Sequence, residues 1–251
     1  MGEYYKEIMG LIKGNSCEAK KFRDSEDRFL FFEELFEKTL DTERITNEVV
    51  RHVTRELEER NLEVGIPVSA LMNLSPEKEF EIETKRAHDY MGAWIKRKSV
   101  TINGDVGNWL ADGTDGGKIV VKGNAGNFAG SEANGEVVIE GDAGNYAGAF
   151  LDGGILVIKG RTGAETGYMM KQGEIYVAEL DLNNLSMSMR DGSIYRGLPT
   201  HMQGDPEPVW VLRILKSSDD EVAFFYFSKK NSTSLLAEKI NYVLTTKFLH
   251  S

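Results

Sequence analysis

The middle of the chain alternates short apolar runs with glycine-rich polar segments. Five runs of three mostly β-branched residues recur at nearly equal distances, at residues 100–102, 119–121, 137–139, 156–158 and 175–177. Runs of this length and composition favour β-strands over helices. Each of the first four runs is followed by a Gly-x-x-Gly segment, so the chain repeats one structural unit.

The spacing of the repeat predicts the kind of fold. The first glycines of successive segments lie 18 or 19 residues apart, and an extended chain of that length traces a closed path of about 60 Å, which suits one coil of a β-helix. Leucine-rich repeats have a similar period, but their Leu-x-x-Leu-x-Leu motif is missing from this sequence. We therefore predict a mainly β protein built on a parallel β-helix, with 18 or 19 residues per coil and coils that stack as parallel strands.

Eight glycines mark the predicted corners of the coils. Glycine accepts a positive φ without steric cost, so the chain can turn sharply there, and it also allows neighbouring backbone to approach closely. These corner glycines are Gly104, Gly107, Gly123, Gly126, Gly141, Gly144, Gly160 and Gly163.

Stacking places equivalent positions of successive coils in columns. The first and third residues of each apolar run should face the core, and the middle residue should point outward because side chains alternate along a strand. A strand that is apolar on both faces is normally covered on both. We therefore predict that either the chain's own helices or a partner covers the outward column, with an interface at Val120, Val138, Val157 and Tyr176.

Two more columns follow the second glycine of each segment. One consists of asparagines and the next of aromatic residues, namely Asn108, Asn127 and Asn145, then Trp109, Phe128 and Tyr146. The asparagines are predicted to form a ladder between coils, because such side chains can bond the coil on either side. The aromatic rings are predicted to be packing residues, and an outward stripe that stacks on carbohydrate is the alternative.

Helical periodicity dominates the residues before the solenoid. Helices are predicted at residues 4–12, 28–40 and 43–60, with Asp24 starting the second and the last two forming an antiparallel hairpin. Pro67 and Pro76 predict a linker at residues 65–77.

The predicted organisation has three parts. They are a helical N-terminal region at 1–76, the β-helix at 77–198 and an α+β appendage at 199–251. Within the appendage, apolar runs predict a β-hairpin from residues 209–215 and 222–227 and a final amphipathic helix at 233–249.

The coil pattern resembles a known domain. Gly123, Gly126 and Gly130 form a Gly-x-x-Gly-x-x-x-Gly segment that recurs in later coils and leads to a further glycine and an apolar strand. Over residues 99–195 this resembles the C-terminal GXGXG β-helix domain of glutamate synthase large subunits, a module that also occurs in formylmethanofuran dehydrogenase. The resemblance implies a right-handed β-helix with an architectural role beside an oxidoreductase, and it assigns no catalytic residue.

Composition restricts the possible partners. The net charge of −10 has the wrong sign for binding a phosphate backbone, so no nucleic-acid partner is predicted. No apolar run approaches 18 residues and the N-terminus lacks the apolar segment of a signal peptide, which predicts a cytoplasmic protein without a membrane partner. Cys17 is the single cysteine, which excludes internal disulfides and cysteine-based metal cages.

Motifs for chemistry are weak. The glycine-rich segments match neither the phosphate-binding loop nor the dinucleotide motif, and the histidines lack metal-ligand spacing, so no catalytic, cofactor-binding or metal site is predicted. The tripeptide at residues 88–90 is the most reactive candidate, because Asp89 could orient His88 as a base, but no nucleophile accompanies it.

These patterns favour a non-catalytic structural or assembly module that acts as a subunit or scaffold beside an enzyme, with a protein partner or a second copy of the chain. Two alternatives stay open. One is an enzyme that uses a cleft between the solenoid and a flanking element, and the other is a ligand-binding domain associated with amidotransferase chemistry.

Overall fold

The computed structural model describes residues 3–186 and 188–197, together with the backbone of two strands at 210–217 and 220–227. These residues form four α-helices followed by a parallel β-solenoid, so the predicted fold class is confirmed. The parallel strands follow chain order: β1 (Glu79–Glu83), β2 (Ser99–Asn103), β3 (Asp115–Val121), β4 (Asn134–Ile139), β5 (Asp152–Ile158), β6 (Gln172–Val177) and β7 (Ser193–Arg196).

The register of the strands follows the predicted columns. Val100 pairs with Ile119, which pairs in turn with Val137, and the column continues in the same way to Ile194. The inward side chains of Ile102 and its equivalents from Ile82 to Val177 are fully buried. Translational stacking of one apolar pattern therefore builds the core of the solenoid.

An antiparallel hairpin extends the sheet beyond the last coil. It consists of β8 (Trp210–Ser217) and β9 (Asp220–Phe227), and β8 pairs with β7. The hairpin was predicted, but with a polar loop at residues 216–221. Ser217 pairs with Asp220, so most of that polar segment belongs to the strands. The helix predicted at 233–249 lies outside the described residues.

The first helix is longer than its sequence suggests. Helix α1 (Tyr4–Ala19) runs through Gly14 and Asn15, which were predicted to end it. Gly14 has open space around it, and the Asn15 side chain donates to the Leu11 carbonyl within the helix. Burial of an apolar stripe outweighs the weak helix propensity of these two residues.

Two further helices lie close to the predicted positions. Helix α2 (Ser25–Thr39) begins after Asp24, whose side chain accepts the amide of Glu26 as the predicted N-cap. Helix α3 (Asn47–Glu59) starts after a separate 3-10 turn at Thr42–Arg44, so the single helix predicted at 43–60 is in fact two elements. Thr46 caps α3 by accepting the amide of Val49.

The predicted linker at residues 65–77 is wrong, because most of it is a buried helix. Helix α4 (Gly65–Leu74) has eight consecutive buried residues from Gly65 to Met72. Pro67 lies in the first turn of the helix, where a backbone amide would have no intrahelical acceptor, so its missing amide proton costs no hydrogen bond. The buried ammonium of Lys98 holds the chain after this helix by donating to the carbonyls of Ser75 at 2.5 Å and Glu77 at 2.9 Å.

The helices close the first edge of the sheet. Helix α3 packs against β1, and α2 packs mainly against α4 rather than forming the predicted pair with α3. The Asn47 side chain accepts a hydrogen bond from the Glu81 amide at 3.1 Å. This amide lies on the first strand, so no preceding coil could supply an acceptor for it. The phenylalanines of α2 pack here too, with Phe29 5.5 Å from the ring of Trp94. The main contacts of α2 are therefore with α4 and the first coil rather than with the strands that carry the outward valines.

Asparagine and aspartate side chains link successive coils. In one ladder each Oδ1 accepts the amide of the next coil: Asp89 from Asn108 at 2.7 Å, Asn108 from Asn127 at 2.9 Å, Asn127 from Asn145 at 2.8 Å, and Asn145 from Ala164 at 2.8 Å. A second ladder runs through Asp105, Asn124, Asp142 and Arg161. The predicted asparagine ladder is confirmed, and each rung ties two coils together.

Candidate functional site

The corner glycines are needed for close approach more than for turning. Of the eight, only Gly104 has a positive φ, of +130°. A Cβ on Gly126 would lie 2.7 Å from Oδ1 of Asn108, and one on Gly144 would lie 2.5 Å from Oδ1 of Asn127. These two glycines thus leave room for the ladder side chain of the preceding coil. Of the two predicted reasons, close approach applies to the seven glycines other than Gly104, and positive φ applies only to Gly104.

Aromatic residues take the left-handed backbone conformation instead. Tyr90, Trp109, Phe128 and Tyr146 have φ between 60° and 61°. This conformation costs a non-glycine residue about 1–2 kcal/mol. The repetition of the same corner in four coils means that the surrounding packing and ladder bonds offset this cost each time.

The aromatic column is a stack of parallel rings. The centres of Trp109 and Phe128 lie 4.0 Å apart with planes within 3°, and those of Phe128 and Tyr146 lie 4.8 Å apart within 4°. Tyr90 extends the stack at 6.2 Å. A sugar stacks on a free ring face, and the inner rings already have theirs occupied by each other. The column is therefore a packing element, as predicted, and the carbohydrate alternative is not favoured.

The outward column is only partly available to a partner. Val138 and Val157 are 3 % and 0 % exposed, whereas Val120 and Tyr176 are half-buried. Tyr176 donates its hydroxyl proton to Glu174 at 2.8 Å and stacks on Tyr195 at 4.4 Å. Burial, together with the Glu174 carboxylate, raises the pKa of Tyr176.

A buried carboxylate–histidine pair lies at the junction of the helices and the first coil. Nε2 of His88 is 2.8 Å from Oε1 of Glu58 on α3, and the two side chains are 12 % and 5 % exposed. The same oxygen accepts the amides of Lys85 at 2.9 Å and Arg86 at 3.3 Å. Asp89, which the sequence suggested as the orienting group, is instead the first rung of the asparagine ladder.

The hydrogen-bond pattern assigns the protonation of this histidine. A carboxylate that already accepts two amide protons acts as an acceptor, so Nε2 of His88 must carry the proton that it donates to Glu58. In the neutral imidazole, Nδ1 then bears the lone pair. Nδ1 has no partner within the described residues, and it is not among their enclosed unpaired atoms.

His88 lines a cavity of about 310 Å³ between the helices and the first coil. Arg28, Glu63, Asp89 and Tyr90 also contribute to its wall. The Arg28 guanidinium is bonded through Nη1 to Glu63 at 3.0 Å, while its Nε is buried without a partner in the described part of the chain. The cavity therefore combines one charge-compensated cation with several acceptor groups.

Glu58 borders a second, larger groove of about 630 Å³, which is lined by residues of α3 and the end of β1. His52 lies there, and its Nδ1 is 2.9 Å from the Arg55 guanidinium, so Nδ1 is an acceptor and Nε2 carries the proton. That Nε2 is enclosed without a partner among the described residues, and the His52 ring meets the ring of Tyr5 at 4.2 Å. Both basic and acidic side chains line this groove. The two ring nitrogens of His52 are taken up by Arg55 and by enclosure within the protein.

One perturbed carboxyl group lies near the same junction. Burial raises the pKa of Asp112 to about 7, although a hydrogen bond from Ser131 acts in the opposite direction. The carboxylates of Glu132 on the next coil and of Glu26 and Asp24 at the start of α2 add to the increase. Asp112 therefore exchanges a proton near neutral pH at a point where the helices meet the second coil.

The described residues were compared with two kinds of site, a cluster of metal ligands and a membrane-spanning helix. Among the described residues, no group of three or more histidine, cysteine, aspartate or glutamate side chains is arranged to hold a metal ion, and Cys17 is exposed as a free thiol. Within the same residues, no helix is long and apolar enough to cross a membrane. His201 and His250 lie outside the described residues.

The fold defines this protein as a parallel β-solenoid with a helical cap at its first coil. No family model matches the chain, and no curated protein or solved structure shows significant similarity to it. Sequence reasoning missed Glu58 as a site residue, because it is one of many glutamates on an amphipathic helix. The one available signal was its position on the apolar side of α3, next to Leu57.

Proposed function

We propose that this protein is a non-catalytic assembly module that works as a rigid subunit or scaffold beside an enzyme. The observation that carries the proposal is the pair of side-chain ladders, which link five and four successive coils, together with the stack of aromatic rings over four coils. A solenoid tied in this way resists bending and holds its surface columns at fixed spacing. The resemblance to the GXGXG domain of glutamate synthase, which braces catalytic domains, supports the same role.

The outward face offers the surface for a partner protein. Val120 and Tyr176 are half-buried there, and Ile155, on the same strand face beside this column, is 38 % exposed, so some apolar side chains of the face are accessible. Apolar positions on a rigid strand face are typical of an interaction site. An enzyme or a second copy of the chain is the expected occupant.

Cross-linking and purification from the native source test this function. We expect a stoichiometric complex with an enzyme, which Val120→Asp disrupts without a matching loss of folding. Lys122→Asp is the control, because Lys122 is exposed just beyond the same strand and outside the valine column. Recovery of the wild-type chain as a free monomer under cross-linking would contradict the assembly role.

A second candidate is ligand binding in the cleft between the helices and the solenoid. It is favoured by His88, because a buried carboxylate orients this side chain at the wall of a cavity. Imidazoles that are oriented in this way are common at sites where a protein binds a ligand or transfers a proton.

A further inference from the structure

We propose that the cavity at His88 binds a small organic cation, with an ammonium group as the recognised chemistry. The inference rests on the second candidate function, ligand binding at the junction of the helices and the first coil. It is carried by the acceptor groups that share this cavity and by the charge balance of its wall.

Three acceptors border the cavity. In the neutral imidazole, the proton that Nε2 of His88 donates to Glu58 leaves the lone pair on Nδ1. Asp89 uses Oδ1 to accept the amide of Asn108, and Glu63 uses Oε1 to bind Arg28, so each carboxylate keeps a second oxygen without a hydrogen bond within the described residues. An ammonium group has three N–H donors in a compact arrangement, and these match acceptors of this kind.

The charges of the wall favour a cation over an anion. Arg28 is the one fully ionised cation among the cavity-lining residues, and Glu63 neutralises it at 3.0 Å. Asp89 then leaves one uncompensated negative charge among the residues that line the cavity. An opposite charge in a partly enclosed site is favoured more than on the open surface.

The hydrogen bonds that Arg28 already makes limit its capacity to bind an anionic ligand. Its Nε is enclosed and one proton of Nη1 is bonded to Glu63, so the edge through Nε is closed to a ligand, and an anion at the Nη1–Nη2 edge would compete with the Glu63 carboxylate for the positive charge. Bidentate binding of a carboxylate or phosphate requires two nitrogens on one edge of the guanidinium. A metal ion is also disfavoured, since no group of three suitable side chains is arranged to hold one in the described residues.

The size of the cavity restricts the guest. A volume of about 310 Å³ lies at the lower end of the range for small-molecule sites, which is about 300–1,000 Å³. A short alkylammonium ion therefore fits better than a large polycation.

The test is a titration of the full chain with n-butylammonium chloride, sodium butyrate and n-butanol at constant ionic strength. The readout is the imidazole ¹⁵N signals of His88, assigned by their loss in His88→Gln. We expect a saturable shift with butylammonium in the millimolar range, and no saturable shift with the other two compounds.

Asp89→Asn provides the decisive variant. The asparagine keeps the Oδ1 acceptor that the ladder uses, as Asn108 does one coil later, and removes the charge. Binding of butylammonium should weaken about tenfold. Asp105→Asn is the matched control, because Asp105 plays the same part in the second ladder without lining the cavity, and its binding should equal that of wild type.

Each other outcome overturns the proposal. Saturable binding of butyrate would show that the cavity is a ligand site for anions, which contradicts the cation and leaves the ligand-binding function intact. The absence of any saturable shift would contradict both. If Asp89→Asn fails to fold, Glu63→Gln replaces it with the same expected loss, and unchanged affinity in a folded variant would contradict the assigned acceptors.

Discussion

The solenoid and its helical cap solve the same hydrogen-bonding problem by different means. Within the solenoid, Asn127 accepts the amide of Asn145 one coil away, and the same bond recurs between successive coils from Asp89 to Ala164 at a separation of 18 or 19 residues. At the first coil no earlier repeat exists. There Asn47 and Glu58 of α3 accept amides 34 and 27 residues further along the chain. The helix thus takes the place of a missing coil.

Because the two regions form these bonds differently, different kinds of substitution should destabilise each of them. A repeated bond depends on a small residue that leaves space for the side chain below it, so the sensitive positions are glycines. A single, non-repeated bond depends on the acceptor itself, so the sensitive position is one buried carboxylate. Substitutions at matched positions separate these two cases.

Gly144→Ala should produce the largest effect. The new Cβ would lie 2.5 Å from the Asn127 Oδ1 and 2.8 Å from the Asn127 backbone nitrogen, so a ladder rung and the coil spacing must both shift. We expect a loss of about 3 kcal/mol or more in the free energy of unfolding, measured by urea denaturation. Gly10→Ala is the control, because nothing lies within 4 Å of its Cβ position in α1, and it should stabilise by up to about 1 kcal/mol. Equal effects of the two substitutions would contradict the close-approach role of the corner glycines.

Glu58→Ala should come next. It removes the acceptor for two backbone amides and for His88, all in a buried setting. The expected loss is about 3 kcal/mol in the free energy of unfolding. Glu56→Ala on the same helix is the control, because its pair with Arg60 is solvent-exposed and should contribute less than about 0.5 kcal/mol. A loss of similar size in both variants would mean that α3 does not close the sheet edge through Glu58.

Val138→Asp tests the burial of the outward column. Val138 is 3 % exposed in the single chain, so an aspartate there loses its hydration without a partner. We expect a loss of more than about 2 kcal/mol in the same denaturation assay. Val120→Asp, one coil earlier and half-buried, should lose clearly less. A Val138→Asp chain that melts like the parent would show that the column is open rather than covered within the chain.

Asp112 makes the smallest contribution, and it depends on pH. Its pKa is about 7 in the folded chain and near the ordinary 3.8 when unfolded, so between these values the unfolded chain is ionised while the folded chain stays protonated. Stability from this group is therefore highest at low pH and falls as the pH rises from about 4 to about 7. Because Asp112 is half-buried, we expect about 2 kcal/mol across this window.

The comparison variant for this group is Asp112→Asn, which has no charge to bury. Its free energy of unfolding relative to wild type should increase from pH 4 to pH 7 and level off above it, as measured by denaturation at a series of pH values. A difference that is constant over this range would show that Asp112 titrates as an ordinary carboxylate.

The candidate site was harder to predict than the fold. The sequence singled out His88 and proposed its neighbour Asp89 as the orienting acid, which the ladder bond to Asn108 contradicts. The true partner, Glu58, is 30 residues away. Its position on the apolar side of α3 was the one local signal, and its burial beyond that of the neighbouring Glu56 and Glu59 arises only when α3 meets the end of β1.

The solenoid could be predicted from the amino-acid sequence alone, because the period, the inward columns, the asparagine ladder and the aromatic stack all follow from equivalent residues at 18- or 19-residue spacing. A repeat can be recognised in a sequence because each coil packs on a similar coil, so the residues that make each contact recur several times along the chain. The buried helix at residues 65–74, the true reason for the corner glycines and the Glu58–His88 pair were decided by tertiary structure. Each of these contacts occurs between unlike or distant segments, and a contact made only once leaves no periodic signal in the sequence.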